Sequence, residues 1–143
     1  MSGVHSLLYL TLTPSAPAGR DLYHTSEDGD LKRVKLILAA GHVDINYRRW
    51  SWTPVMMAAY YGRRDMVEFL VGSGADVSLV DSDGNNVLHF ACYGGHRETV
   101  KLILFLDRVD VNARYNDGQT AADMARLMGD QRVMDLLVSR GAH

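Results

Sequence analysis

The feature that most constrains this chain is a spacing. Glycines fall at Gly29, Gly62, Gly95 and Gly129, in steps of 33, 33 and 34 residues. Val34, Val67, Val100 and Met134 repeat those steps, and so do Leu22, Val55, Leu88 and Ala122. A constant period of this length marks a solenoid. One supersecondary unit is copied, and each copy buries its apolar face against the next.

The second copy shows what the unit is. Thr53-Pro54 reads as an N-cap followed by proline at the first helical position, where a missing N–H costs nothing. Val55 to Tyr61 then forms a short helix whose Ala58 and Ala59 let a neighbouring helix approach closely. Gly62 stops it. A second helix carries Met66, Val67, Phe69, Leu70 and Val71 on an apolar face, and Gly72-Ser73-Gly74 ends it. Ala75 to Ser78 is predicted to be extended and to lead into a turn. The third copy repeats the pattern from Asp83-Gly84 and the cap Asn86 to Asp110-Val111-Asn112. The fourth runs from Asp117-Gly118 through Thr120 to Gly141-Ala142, and the first lacks the Thr-Pro start. The expected organisation is a flexible leader over 1–18 and one domain over 19–143, with units at about 19–47, 48–80, 81–114 and 115–143.

These units resemble ankyrin repeats. The matching pieces are Thr53-Pro54, Ala58-Ala59 and Gly62; Gly84, Leu88-His89, Ala91 and Gly95-His96; Gly118, Thr120, Ala125 and Gly129. Gly74-Ala75-Asp76-Val77-Ser78 matches the closing pattern, and Asp44-Ile45-Asn46 and Asp110-Val111-Asn112 match it more loosely. The resemblance covers about residues 20–143. It implies an all-α solenoid of helix-turn-helix units joined by β-hairpin-like fingers, with the first and last units as caps. The sequence departs from the pattern in three places. Met56 and Asp123 stand where the family has a histidine that ties helix to turn, and Asp107-Arg108 stands where glycine is usual. Met56 is expected only to pack, Asp123 to form a capping box with Thr120, and the third junction to be looser.

A repeat stack presents a long concave surface and requires no buried pocket, so the fold points to binding by surface residues. The resemblance implies which residues face that surface: finger tips, the residue before the cap, and the two residues before the inter-helix glycine. These positions hold Arg49, Trp50, Trp52, Tyr60 and Tyr61 in the second unit and Ser82, Asp83, Asn85, Tyr93 and Gly94 in the third. The fourth offers Asn116, Asp117, Gln119, Leu127 and Met128, and the first Glu27 and Asp28. Both tryptophans fall among them, and Trp, Tyr and Arg dominate interface energies. The candidate partner-binding set is therefore Trp50, Trp52, Tyr60, Tyr61 and Tyr93, with Arg48 and Arg49 at its edge and Asp83 and Asn85 on the fingers. A second reading stays open: Trp52 covers the gap between fingers, and Tyr60 and Tyr61 pack on the adjacent unit.

Other chemistry finds little support. Cys92 is the single cysteine, so an internal disulfide or a thiolate zinc site is excluded, and a reducing compartment, cytoplasm or nucleus, is expected. His89, Cys92 and His96 lie close in sequence, but Gly94-Gly95 separates His96 and both histidines fit the repeat, so no metal is expected. There is no phosphate-binding glycine run and no nucleophile-elbow motif, so neither catalysis nor a cofactor is expected. A net charge of -2 gives no general pull on nucleic acid. Stacking of bases on the aromatics, with Arg48-Arg49 and Arg63-Arg64 meeting phosphates, is the rival reading. Those pairs are expected at opposite edges. No apolar run reaches the roughly 18 residues of a membrane span. Val4 to Leu12 followed by Ala16-Pro17-Ala18 is only faintly similar to a signal peptide, since no Lys or Arg precedes it.

The expected unit is a monomer that binds a protein partner. The alternative is a spacer cut from a longer array, with Met134, Leu137 and Val138 exposed at the cut edge. Asn46 and Asn112 resemble sites of asparagine hydroxylation in ankyrin proteins, each eight residues after a leucine.

Overall fold

The structure, a computed structural model, describes residues 15–143. Most of the expected leader lies outside the described residues. The remainder of it does not form a leader: helix α1 (Ala16–Asp28) starts inside it. Ser15 accepts a hydrogen bond from the Ala18 N–H, and Pro17 sits in the first turn, where its missing donor is harmless.

Seven more helices follow: α2 (Leu31–Ala39), α3 (Pro54–Tyr60), α4 (Arg64–Gly72), α5 (Val87–Tyr93), α6 (Arg97–Leu106), α7 (Ala121–Leu127) and α8 (Gln131–Ser139). They pair as four hairpins. The inner row α1, α3, α5, α7 packs each helix on the next, and α4, α6 and α8 do the same behind it. Among the described residues the only strand-like pairing is two isolated antiparallel bridges, Arg49 with Trp52 and Arg114 with Thr120. The fold is thus an all-α solenoid, as the period implies.

The ladders are the core. Leu22, Val55, Leu88 and Ala122 are buried, as are Val34, Val67 and Val100. In the fourth unit Met134 holds the equivalent place, its N–H bonded to the carbonyl of the cap Asp130, and is half-buried, while its neighbour Val133 is buried like Met66 and Thr99 before it. Leu137 is also buried, so only Val138 of the three expected edge residues is exposed.

Each inner helix after the first begins with a reciprocal cap. Thr120 Oγ1 accepts from the Asp123 N–H at 3.2 Å, and Asp123 Oδ2 accepts from the Thr120 N–H at 2.9 Å. Asn86 Oδ1 accepts from the Leu88 and His89 N–H groups, while His89 Nδ1 accepts from the Asn86 N–H at 3.0 Å. Met56 does more than pack: its Sδ lies 3.3 Å from the Thr53 nitrogen and receives that N–H. A cap of this kind stabilises a helix by about 1 kcal/mol, which matters for helices of 7 residues.

The segments between units are turns and not extended chain. Asp44, Asp76 and Asp110 each accept from the N–H two residues on, at 2.9 Å. Short carboxylates favour such local bonds and fold the chain back. Asn46 and Asn112 then reach across units. Asn46 Oδ1 accepts from the Asp76 N–H, and Asn112 Nδ2 donates to the Gly141 carbonyl. At the third junction Asp107 closes α6 in the left-handed conformation, φ 53°, that glycine would otherwise supply.

Candidate functional site

The inner helices and the fingers together wall a groove of ≈ 810 Å³ across the second, third and fourth units. Repeat geometry builds it from equivalent positions. Met57, Phe90 and Met124 form its floor and show only a sliver of surface. Tyr60, Tyr93 and Leu127, one turn further along each helix, form the wall. The Tyr60 and Tyr93 rings are stacked, 5.9 Å apart and 29° off parallel, and Phe90 meets Tyr60 edge-on at 6.4 Å. Offset stacking of this kind holds large side chains in place without closing their outer faces. Tyr93 remains 52% exposed and Leu127 73%.

The opposite wall comes from the finger of the third unit, organised by one buried carboxylate. Asp81 Oδ1 accepts from the Asp83 and Asn85 N–H groups at 3.0 and 2.8 Å. Its Oδ2 accepts from Trp52 Nε1 at 2.9 Å and from Asn85 Nδ2 at 3.3 Å. Four donors satisfy a buried charge that would be costly if left unpaired. The fourth finger docks beside the third, with the Asn116 N–H donating to the Asp83 carbonyl at 2.8 Å and Asn116 Nδ2 to the Ser82 carbonyl at 3.0 Å.

The expected set of site residues divides here. Trp52, Tyr60, Tyr61, Asp83, Asn85 and Tyr93 line the groove together. Arg48, Arg49 and Trp50 do not. Arg48 donates to the carbonyls of Ser51 and Val80, at 2.7 and 2.8 Å, so it staples two fingers. Arg49 lies with its guanidinium 5.7 Å from the Trp50 ring, and Trp50 stands 74% exposed on its finger tip. Trp52 is half-buried, meets Phe90 edge-on and bonds Asp81, so the covering reading describes it in part. Tyr60 likewise packs on the adjacent unit and still lines the groove.

Spacing could have revealed more. Met57, Phe90 and Met124 stand 33 and 34 residues apart, a ladder of large side chains beside the small ones. Asp81 carried no such signal, because its role depends on a donor 29 residues away.

The groove is acidic. Asp83 and Asp117 are exposed on its rim, and among the described residues no lysine or arginine lines it. The phenol of Tyr61 is pushed up, first by the charge of Glu27 and then by partial burial. That of Tyr115 is pushed up by burial and then by Asp117 and Asp123. His89 backs the groove in the neutral form: burial lowers its pKa, Nδ1 accepts from the cap, and Nε2 therefore donates to the Ala113 carbonyl at 3.0 Å. Burial, with Asp130 adding to it, pushes the Cys92 thiol up to about 12, which leaves it an inert core group. Among the described residues no three His, Cys, Asp or Glu side chains gather to hold a metal ion. Among them, too, no helix is long and apolar enough to cross a membrane.

Four stacked helical hairpins with fingers along one edge define a class of repeat protein that mediates contacts between proteins. The sequence comparisons agree with the architecture. The profile for ankyrin repeats (3 copies) matches residues 19–81, and that for ankyrin repeats (many copies) matches 65–104. The chain belongs to the ankyrin-repeat family. It is 30% identical over 124 residues to the probable E3 ubiquitin-protein ligase XBOS33 of Oryza sativa, covering 85% of this chain and 24% of that one. It is 30% identical over 122 residues to the palmitoyltransferase AKR1 of Lachancea kluyveri, 82% of this chain and 16% of that one. Ankyrin repeat and SAM domain-containing protein 6 of Rattus norvegicus is 34% identical over 112 residues, 77% of this chain and 12% of that one. The chain thus spans at most about a quarter of the length of these relatives.

Proposed function

We propose that this chain is a non-catalytic interaction module that holds a segment of a partner protein in the groove between its inner helices and its fingers. The observation that carries the reading is the aromatic wall. Tyr60 and Tyr93 are stacked on one another, yet Tyr93 keeps half its surface in solvent beside exposed Leu127 and Met128. Apolar surface that internal packing does not use, rimmed by polar groups, is what a binding site requires. A preformed groove also orders little on binding, which favours affinity. The unit acts as a monomer. Its place is cytoplasmic or nuclear, in keeping with one free thiol and no disulfide.

The charge of the groove argues against a nucleic-acid strand. Three of the four arginines that could meet phosphates have polar partners, Arg48 on finger carbonyls, Arg63 on the Glu27 carbonyl and Arg64 beside Asp65 and Glu68, and Arg49 lies against the Trp50 ring.

The test is partner capture from cell extract with Tyr93→Ala/Leu127→Ser/Met128→Ser, compared with Phe105→Ala on the outer face. All four residues are exposed, so the fold should survive, and circular dichroism checks that it does. The groove variant should lose the partners that wild type retains, while the Phe105 variant keeps them. Retention by both would sink the groove as the site.

A further inference from the structure

We infer that the occupant of this groove is a basic peptide segment, whose lysine or arginine side chains meet the finger carboxylates while their stems lie on the tyrosine wall. This rests on the reading of the groove as a partner site and adds the chemistry of the partner.

Three observations carry it. First, among the described residues the charged side chains that line the groove are all acidic, with no lysine or arginine. Asp81 is consumed by its four donors, but Asp83 and Asp117 are not. Among the described residues the Asp83 carboxylate has no hydrogen-bond partner, and that of Asp117 accepts only the Gln119 N–H. Neither forms an ion pair among the described residues. The two sit on adjacent finger tips joined by the Asn116 N–H bond to the Asp83 carbonyl, and both line the same groove.

Second, the arginines near the groove are held elsewhere. Arg126 pairs with Asp123 at 3.0 Å, and Arg114 donates to the Gly118 carbonyl at 2.6 Å. Neither side chain pairs with Asp83 or Asp117 among the described residues. Neighbouring carboxylates also raise two phenols that line the groove, Glu27 that of Tyr61 and, after burial, Asp117 and Asp123 that of Tyr115.

Third, the wall is aromatic. Tyr60 and Tyr93 offer faces on which an ammonium or a guanidinium is attracted by the ring quadrupole, and along which an aliphatic stem can lie. A carboxylate rim with an aromatic wall selects a cation that carries an apolar stem. It repels phosphorylated or acidic segments by charge.

The experiment is selection of a displayed library of random linear peptides on the whole chain. Recovered peptides, and a short oligolysine as a defined probe, are then titrated against wild type, Tyr93→Ala/Leu127→Ser, and Asp83→Asn/Asp117→Asn. The expected result is recovery of Lys- or Arg-rich sequences that need Tyr93 and Leu127. Their affinity should fall about five- to tenfold in the double Asn variant and should weaken with added salt. Recovery of groove-dependent peptides that lack basic residues, or that bind the Asn variant equally well, overturns the basic-peptide inference and leaves the groove standing. Peptides indifferent to Tyr93→Ala/Leu127→Ser, or no peptides at all, overturn both.

Discussion

The finger of the second unit and that of the third occupy the same place in the repeat, and they are built differently. In the third, Asp81 and Asn85 pair around a turn in which only Gly84 has a positive φ, 84°. The fourth copies this with Tyr115, Gln119 and Gly118, φ 86°. In the second unit the turn is shorter. Arg49 and Trp52 exchange both backbone bonds at 2.9 Å across Trp50 and Ser51, with φ of 56° and 73°. Two successive positive φ values suit Asn-Gly, and a tryptophan there is unusual. The shorter turn explains why two tryptophans two residues apart part company. Trp50 is thrown outward at the tip, and Trp52 is turned inward onto Asp81 and Phe90. One finger is held by a glycine and a buried carboxylate. The other is held by Arg48 reaching across to its neighbour.

The largest test of that contrast is removal of each hub. Asp81→Ala should destabilise the chain by about 2–4 kcal/mol, because it strips a buried acceptor from four donors. Arg48→Ala, at the equivalent but exposed position, should cost about 1 kcal/mol or less. Urea unfolding of the two variants measures the difference. Equal losses would mean that the fingers are not distinct.

A smaller test concerns the turns themselves. Gly84→Ala puts a Cβ at positive φ and within 3.1 Å of the Asn116 backbone nitrogen, so it should cost about 1–3 kcal/mol. Trp50→Asn should leave stability unchanged or raise it by up to about 1 kcal/mol, since asparagine tolerates the left-handed region better. Thermal unfolding reads both signs, and a clear loss in the Trp50 variant would show that its ring packs on the protein.

Smallest in energy is the spectroscopic contrast. With Trp52→Phe the remaining indole should emit to the red and be quenched readily by iodide. With Trp50→Phe it should emit to the blue and be shielded. Similar quenching in both would contradict the divergence of the two side chains.

Much of this architecture was legible because a repeat prints its packing as a period. The caps at Thr53, Asn86 and Thr120, the helix stops and the buried ladders follow from residue type and spacing alone. The face that carries Tyr60 and Tyr93 is implied by the resemblance to ankyrin repeats and not by the spacing. What escaped depends on contacts between distant residues or on local dihedrals. Asp81 looks like any turn aspartate until Trp52 arrives from the previous finger. Arg48 looks like a free surface charge until Val80 presents its carbonyl. The turn at Trp50 and Ser51 contains no glycine to announce its positive φ. Ser15 and Pro17 read as part of the leader, although they also spell a helix start. The groove floor of Met57, Phe90 and Met124 was readable as a ladder but resembled ordinary core.

That floor supplies the most direct test of the central claim. The methyl groups of Met57, Met124 and Met128 line the groove, while Met66 and Met134 lie outside it. Methyl spectra recorded during titration with a captured partner or a selected peptide should show Met57, Met124 and Met128 shifting together while Met66 and Met134 stay in place. Shifts confined to Met66 and Met134 would contradict the account and move the binding surface to the outer helices.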